Sequence, residues 1–176
     1  MDFSRLAQIQ LSSETNIKPF KCAEKDLDGF LFDDAKHFQD ELMAVTYLLE
    51  DLDKNVTVAY FSLLADKNTF NPDEKATWNR LNRSIPNSKR RRNYPALKIG
   101  RLAVNENYAG EGVRTFVIDS IKYAFTTVKR LGCRFLTVDA LKSATHFYEK
   151  NGFRFFTEQD KDDETRLMFF DLKNFV

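Results

Sequence analysis

The stretch "RLAVNENYAGEGVRTFVIDSIKYAF" (Arg101–Phe125) joins an apolar, strand-like segment to a long amphipathic run. The loop between them contains Gly110 and Gly112, two of only six glycines in the whole chain. Glycine permits tight turns and lets a ligand come close to the backbone. A glycine loop that leads from a strand into a helix therefore predicts either a tight turn or an anion site at the start of the helix.

Two common phosphate-binding motifs do not fit this loop. A P-loop requires the pattern GxxxxGK[ST], and none of the glycines is followed by lysine and then serine or threonine. A dinucleotide-binding fingerprint requires GxGxxG, but Thr115 occupies the place of the third small residue. A simple tight turn and an anion site built from backbone amides remain as the two interpretations.

The composition of the chain is that of an ordinary globular protein. It has 176 residues, 43% of them hydrophobic and 30% charged, which suits a single domain over residues 1–176. No apolar run is long enough to span a bilayer, and the first residues lack the pattern of a signal peptide. We therefore expect a cytoplasmic protein without a membrane partner.

Cysteine and histidine usage argues against a disulfide and against a zinc site. Cys22 and Cys133 are far apart and form no CxxC pair, so we expect two free thiols or small buried residues. The histidines, His37 and His146, lack the spacing of metal ligands. The sequence therefore predicts no metal cofactor.

Charge is distributed unevenly, although the net charge is only +1. Lys89, Arg90, Arg91 and Arg92 form a run of four cations, whereas "EQDKDDE" (Glu158–Glu164) is mostly acidic. The basic run is interpreted either as a solvated loop or as a contact for phosphate groups or nucleic acid.

Hydrophobic periodicity and turn signals predict a helix, a hairpin and a second helix in the first half of the chain. The first helix occupies part of Leu27–Ala44, and the hairpin strands lie near 44–50 and 55–64. Asn71, Pro72 and Glu74 have the pattern of a helix start, and this second helix runs to about Leu81.

The second half of the chain alternates strands and helices. The predicted elements are a strand at Pro95–Val104, a helix from Gly112 with an apolar face, a buried strand at Cys133–Ala140, a helix at Lys142–Gly152 and a closing hairpin. The apolar face comprises Val113, Phe116, Val117, Ile121, Ala124, Val128 and Leu131, and Gly132 is the predicted C-terminal cap. A strand–helix–strand unit between antiparallel pairs predicts a mixed sheet in an α/β or α+β domain.

Two stretches carry a resemblance to a known family. "RLAVNENYAGEGV" resembles the acetyl-CoA loop of the GNAT superfamily of N-acetyltransferases, and "ATHFYEKNGF" (Ala144–Phe153) resembles that family's tyrosine segment. The match covers about Pro95–Phe170. It implies an N-acetyltransferase that uses acetyl-CoA as co-substrate, with a mostly antiparallel central sheet flanked by helices.

The resemblance also implies roles for individual residues. Tyr148 would protonate the CoA thiolate as it leaves, although a tyrosine at such a place can also serve only in packing. The backbone of the strand would bind the pantetheine arm and stabilise an oxyanion, and the loop would hold the pyrophosphate. The implied cofactor-binding residues are Leu102, Ala103, Val104, Asn107, Tyr108, Ala109, Gly110, Glu111, Gly112, Val113 and Arg114.

Three positions depart from the family pattern. Asn107 stands where the family has glutamine or arginine, and Leu141 stands where many relatives have an asparagine. Glu111 places a negative charge in a loop expected to bind an anion, so its side chain should point away from the phosphates. The general base is not evident; Asp139 is a candidate, but an aspartate just ahead of a helix is more often a cap or simply solvated.

The sequence leaves more than one candidate for the amine that accepts the acetyl group. "FKCAEKDLDGFL" and "YPALKIGRLAV" resemble a GNAT subgroup that includes toxins of toxin–antitoxin pairs, which acetylate aminoacyl-tRNA. That resemblance implies a tRNA contacted by Lys89–Arg92 and an antitoxin partner, whereas the low net charge favours a small-molecule or peptide amine. A non-catalytic acyl-CoA-binding module is a third interpretation, and homodimerisation is left open.

Overall fold

The computed structural model describes residues 1–69, 71–86, 92–127 and 131–175. A seven-stranded sheet has the order β1-β2-β3-β4-β5-β7-β6, in which β1–β2, β2–β3, β5–β7 and β6–β7 are antiparallel pairs. This sheet, with its helices, confirms the predicted α/β class. The strands are β1 (Leu6–Gln10), β2 (Val45–Asp51), β3 (Val56–Thr69), β4 (Asn93–Val104), β5 (Phe135–Leu141), β6 (Arg154–Phe155) and β7 (Thr165–Asp171).

The helices follow the predicted order. They are α1 (Lys25–Gly29), α2 (Ala35–Asp40), α3 (Lys75–Arg83), α4 (Val113–Thr127) and α5 (Thr145–Lys150), and one π-helical turn (Phe30–Asp34) joins α1 to α2. Within the described ranges, none of these helices combines the length and apolar character needed to cross a membrane.

The chain divides into two compact units. The first comprises Met1–Leu64 and Ile99–Ile121, and the second comprises Ala65–Lys98 and Lys122–Val176. Whether residues 1–176 act as a single domain stays a prediction.

The first unit is built on the predicted hairpin of β2 and β3. Val45 to Asp51 pair with Leu63 to Val56, and β1 adds an edge strand against β2. Tyr60 is fully buried in a hydrophobic cluster, and its hydroxyl donates a 2.7 Å hydrogen bond to the carbonyl of Leu27. The other buried members are Leu11, Phe20, Cys22, Phe30, Leu31, Ala35, Leu48 and Ala103.

The second unit has its own aromatic core. Trp78 of α3 packs on Tyr94 of β4 with ring centroids 5.1 Å apart, and Tyr94 packs edge-on against Phe135 of β5. Asn71 acts as a cap, as predicted, because its Oδ1 accepts a hydrogen bond from the Asp73 amide at 3.1 Å, but the element that it caps is a 3₁₀ turn at Pro72–Glu74 that leads into α3.

The structure corrects two details of the predicted elements. The strand β1 was not expected, because its five residues, "LAQIQ", form a short edge strand whose exposure does not alternate cleanly. The apolar face predicted for α4 was too long, since Ala124 is exposed and Leu131 is 60% exposed beyond the end of the helix. Val128 lies outside the described residues.

Two glycines are expected to respond in opposite ways to alanine. Gly152 has φ +84°, and a Cβ there would lie 3.0 Å from the ring of Phe170, so Gly152→Ala should lower the free energy of unfolding by about 1–2 kcal/mol. A Cβ on Gly29 in α1 would make only an ordinary contact, 3.9 Å from the Oδ2 of Asp33, so Gly29→Ala should raise the free energy of unfolding by about 1 kcal/mol. Urea unfolding measures the change in the free energy of unfolding for each variant. A change of the same sign and size in both variants would contradict the strain assigned to Gly152.

Both thiols are expected to be unreactive. Burial raises the pKa of Cys22 and of Cys133 to about 11, so few thiolates exist at neutral pH. A disulfide-exchange reagent at pH 8 should therefore modify the native protein slowly and the urea-unfolded protein rapidly. Folding raises the pKa of both thiols, so the folded state is favoured while the thiols are neutral. The resulting contribution to the free energy of unfolding is fully present below pH 9 and is lost as the pH rises towards 11. Rapid modification of the native protein would contradict burial of the thiols.

Candidate active site

The glycine loop lies in the first unit and joins β4 to α4. Gly110 and Gly112 have φ values of +82° and +81°, a conformation that other residues rarely adopt. A Cβ built on Gly110 would meet no atom within 4 Å, and one built on Gly112 would lie 3.8 Å from the ring of Phe3. The backbone at Gly110 is therefore open to a ligand.

Asn105, which sequence reasoning missed, anchors the loop. It is only 3% exposed, and its side-chain amide donates to the carbonyl of Thr57 at 3.0 Å. Its backbone amide donates to the carbonyl of Val58 at 2.9 Å, and its Oδ1 accepts from the amide of Asn107 at 3.1 Å. The signal was present in the sequence, because asparagine commonly forms such local turns.

The backbone amides of the loop fall into two groups. Those of Tyr108, Ala109 and Glu111 already donate to carbonyls of the loop, at 2.9, 3.2 and 3.3 Å. Among the described residues, no carbonyl acceptor is found for the remaining amides of the corner and the first turn of α4. These amides belong to Gly110, Gly112, Val113, Arg114 and Thr115. They lie at the positive end of a 15-residue helix, where an anion is stabilised.

The acid in this loop has a partner. The carboxylate of Glu111 lies 3.3 Å from the α-amino group of Met1, and its side chain is about half exposed. Neutralisation by the ammonium group reduces the negative field that Glu111 would otherwise project onto a bound phosphate. Beside the loop lies a cavity of about 300 Å³ lined in part by Arg5, Lys54 and Asn107.

The C-terminal end of β4, just before the loop, is buried. Ala103 is 1% exposed and belongs to the core cluster of the first unit, Val104 is also buried, and Leu102 is half-buried. Their side chains therefore serve packing, and any contact with a ligand would fall to their backbone groups.

Tyr148 lies on α5 in the second unit and is 6% exposed. Its ring packs edge-on against Phe147 and Phe153, with centroid separations of 5.0 and 5.3 Å. Its carbonyl accepts hydrogen bonds from the amides of Asn151 and Phe153, each at 3.0 Å. Aromatic packing therefore constrains the ring of Tyr148, and hydrogen bonds constrain its backbone.

The remaining residues singled out in the sequence make few contacts that bear on a catalytic or binding role. The carboxylate of Asp139 is about half exposed and forms an ion pair with Lys98, and Leu141 is 43% exposed at the end of β5. In the basic run, Lys89, Arg90 and Arg91 lie outside the described residues, and Arg92 is exposed just before β4. Over the described ranges, no cluster of three or more histidine, cysteine, aspartate or glutamate side chains could hold a metal ion.

Solved structures provide the comparison for this architecture. A tyrosine-to-phenylalanine variant of KacT is 22% identical, with a TM-score of 0.77 over 97% of this chain and 96% of that chain. AtaT complexed with acetyl-methionyl-tRNAfMet is 22% identical, with a TM-score of 0.75 over 97% and 96% of the two chains. A bacterial toxin is 14% identical, with a TM-score of 0.79 over 96% and 92%.

No family model matches the sequence. The structural agreement nevertheless extends over nearly the full length of this chain and of each neighbour, and it includes the mostly antiparallel sheet of seven strands. The chain therefore has the GNAT fold seen in KacT and AtaT.

Proposed function

We propose that this protein is an N-acetyltransferase that transfers the acetyl group of acetyl-CoA to a primary amine. The observation that carries the proposal is the glycine corner at the start of α4, where the backbone is open and several amides have no carbonyl acceptor within the described ranges. The fold supports it, because AtaTR bound with AcCoA has the same architecture, with a TM-score of 0.76 at 20% identity.

The residues present fit the co-substrate. The amides of Gly110, Gly112, Val113 and Arg114 would bind the pyrophosphate, since they combine free donors with the positive end of a helix. A side chain at Gly110 would fill the space that the ligand needs, which explains a glycine there. The backbone of Leu102–Val104 would bind the pantetheine arm and supply a donor for an oxyanion.

Tyr148 is proposed as the proton donor. A neutral amine would attack the carbonyl carbon of the acetyl-CoA thioester, the C–S bond would break as the C–N bond forms, and the proton lost by the amine would pass to solvent. The sulfur of CoA departs more readily when a proton donor meets it. The phenol of Tyr148 would deliver a proton to the sulfur, and the packing of its ring keeps the side chain in one orientation.

Calorimetric binding of acetyl-CoA, followed by an assay of CoA release, tests this proposal. The panel of acceptors is spermidine, a lysine-containing peptide and methionyl-tRNA, and at least one of them should accelerate CoA release. Absence of heat on titration with acetyl-CoA would remove the proposed function entirely. Binding without turnover on any acceptor would favour the non-catalytic acyl-CoA-binding module.

We favour a small-molecule or peptide amine as the acceptor. The segment Glu24–Glu41 contains seven carboxylates and two lysines, a net charge of −5 on side chains, in a protein whose net charge is +1. Several of these carboxylates are exposed, those of Asp33, Asp34 and Asp40 among them, and this surface would repel a nucleic acid and attract a cation.

Aminoacyl-tRNA is the second candidate acceptor. AtaT has been observed with acetyl-methionyl-tRNAfMet, and the run Lys89–Arg92 could contact phosphates of a tRNA in this protein. Acetylation of methionyl-tRNA that falls steeply as salt is raised, with no reaction on spermidine or peptide, would favour this candidate.

If aminoacyl-tRNA is the acceptor, an antitoxin is the partner proposed with it. AtaT has been observed bound to the C-terminus of the antitoxin AtaR, and KacTA has been observed with DNA. If this protein is a toxin, its expression should arrest growth, and Tyr148→Phe should relieve the arrest. Normal growth on expression of the active enzyme would exclude the toxin interpretation, and sedimentation analysis would show whether the protein is a homodimer.

A further inference from the structure

A buried lysine beside the tyrosine helix has no role in the function proposed so far. Lys122 of α4 is 4% exposed, although lysine is almost never buried unless it is paired. Its ammonium donates a 2.9 Å hydrogen bond to the backbone carbonyl of Asn151. The same group lies 4.3 Å from the ring centroid of Phe170 and 5.5 Å from that of Phe175.

The bond from Lys122 is made at the end of α5 that follows Tyr148. The last carbonyls of a helix lack partners within it and carry partial negative charge, so a cation placed there is stabilising. Asn151 in turn holds the last turn of the helix. Its backbone amide donates to the carbonyls of Phe147 and Tyr148 at 3.2 and 3.0 Å, and its side-chain amide donates to that of Phe147 at 2.8 Å.

A second set of contacts leads from the same ammonium group to Tyr148. Phe170, which lies under Lys122, packs against Phe153 with centroids 5.7 Å apart. Phe153 packs against the ring of Tyr148, and its amide donates to the Tyr148 carbonyl at 3.0 Å. Lys122 thus supports the backbone of Tyr148 through Asn151 and its ring through two residues, Phe170 and Phe153.

We propose that Lys122 is a positioning residue for Tyr148. It does not act on the substrate; it fixes the end of α5 so that the phenol is held in one place. This inference rests on the proposed role of Tyr148 as proton donor. A displacement of about 1 Å in a catalytic group can lower a rate on the order of 100-fold, so loss of one such support has a measurable effect.

Three variants test the inference, with the acceptor from the panel that gives the highest rate. Lys122→Met retains the apolar stem and removes the cation, Lys122→Arg retains a cation, and Lys150→Met removes an exposed lysine of α5 as the matched control. We expect Lys122→Met to lower kcat about 10- to 100-fold while the Kd for acetyl-CoA changes less than about twofold. Lys122→Arg should recover most of kcat, and Lys150→Met should leave it unchanged.

A double-mutant cycle separates positioning from stability alone. If Lys122 acts through the phenol, Lys122→Met should have little further effect on kcat in a Tyr148→Phe background. Wild-type kcat in a folded Lys122→Met protein would overturn the inference, and so would an equal loss of kcat in both backgrounds.

Failure of the proposed function gives a different result. Absence of acetyl-CoA binding, or a wild-type kcat in Tyr148→Phe, would overturn the proposed function. If kcat is lowered in Tyr148→Phe but unchanged in Lys122→Met, only the inference about Lys122 is overturned.

Hydrogen exchange provides a test that needs no activity. Lys122→Met, or Lys122→Gln if the first variant does not fold, should exchange the amides of Asn151 and Phe153 faster than Lys150→Met does. Unchanged exchange would overturn the proposed support of α5.

Discussion

Gly112→Glu is expected to weaken acetyl-CoA binding by at least about 100-fold, because it places a second carboxylate among the amides proposed to receive the pyrophosphate. The new side chain would also occupy space beside the backbone that the ligand needs. The fold should survive, since an acid is favourable at the start of a helix, although φ +81° adds about 1–2 kcal/mol of strain. Calorimetric titration of the folded variant with acetyl-CoA measures the effect.

Two controls separate charge from strain in this experiment. Gly112→Asn introduces a neutral side chain that tolerates the left-handed conformation better than most residues, so its loss of affinity should be much smaller. Ala124→Glu adds the same charge at an exposed position of α4 and should leave the affinity unchanged. Wild-type affinity in a folded Gly112→Glu protein would show that the glycine loop does not bind the co-substrate.

Tyr148→Phe is expected to lower kcat about 100- to 10,000-fold, the range over which a positioned proton donor contributes. Phenylalanine keeps the ring that packs on Phe147 and Phe153, so the variant removes the phenolic oxygen with little change in packing. The Kd for acetyl-CoA should remain close to that of the wild type, because the proposed pyrophosphate contacts lie in the glycine loop.

The matched control is Tyr123→Phe, which removes a hydroxyl from a side chain that is 63% exposed. It should leave both kcat and Kd unchanged. Equal kcat in Tyr148→Phe and wild type would reduce Tyr148 to a packing residue, and a large rise in Kd without a change in kcat would assign it to binding.

Much of the fold could be predicted because its signals are local. The hairpin of β2 and β3 follows from β-branched and aromatic residues on either side of "DLDKN", and the turn that leads into α3 follows from the cap at Asn71. The end of α5 follows from Gly152, whose left-handed φ is available to glycine at little cost. In each case neighbouring residues specify the backbone conformation.

The candidate site could be predicted only in part. The two loop glycines and Tyr148 were identified in the sequence, and the resemblance supplied their proposed roles. Asn105 and Lys122 were missed, because their importance arises from groups 48 and 29 residues away, the carbonyls of Thr57 and Asn151. A buried lysine in particular looks like a surface residue in sequence, although it lies four positions after buried Ile118 on the same helical face.

Local patterns in the sequence were enough to locate most strands, the order of the helices and the glycine corner, since caps, turns and hydrophobic periodicity act over a few residues. Contacts between distant segments decide which loop amides have a carbonyl acceptor among the described residues, that Glu111 pairs with the amino group of Met1, and that Lys122 is buried with its ammonium bonded to the end of α5. The physical reason is that hydrogen bonding and burial of a polar group depend on partners from distant segments. Folding brings those partners together, and no local pattern records them.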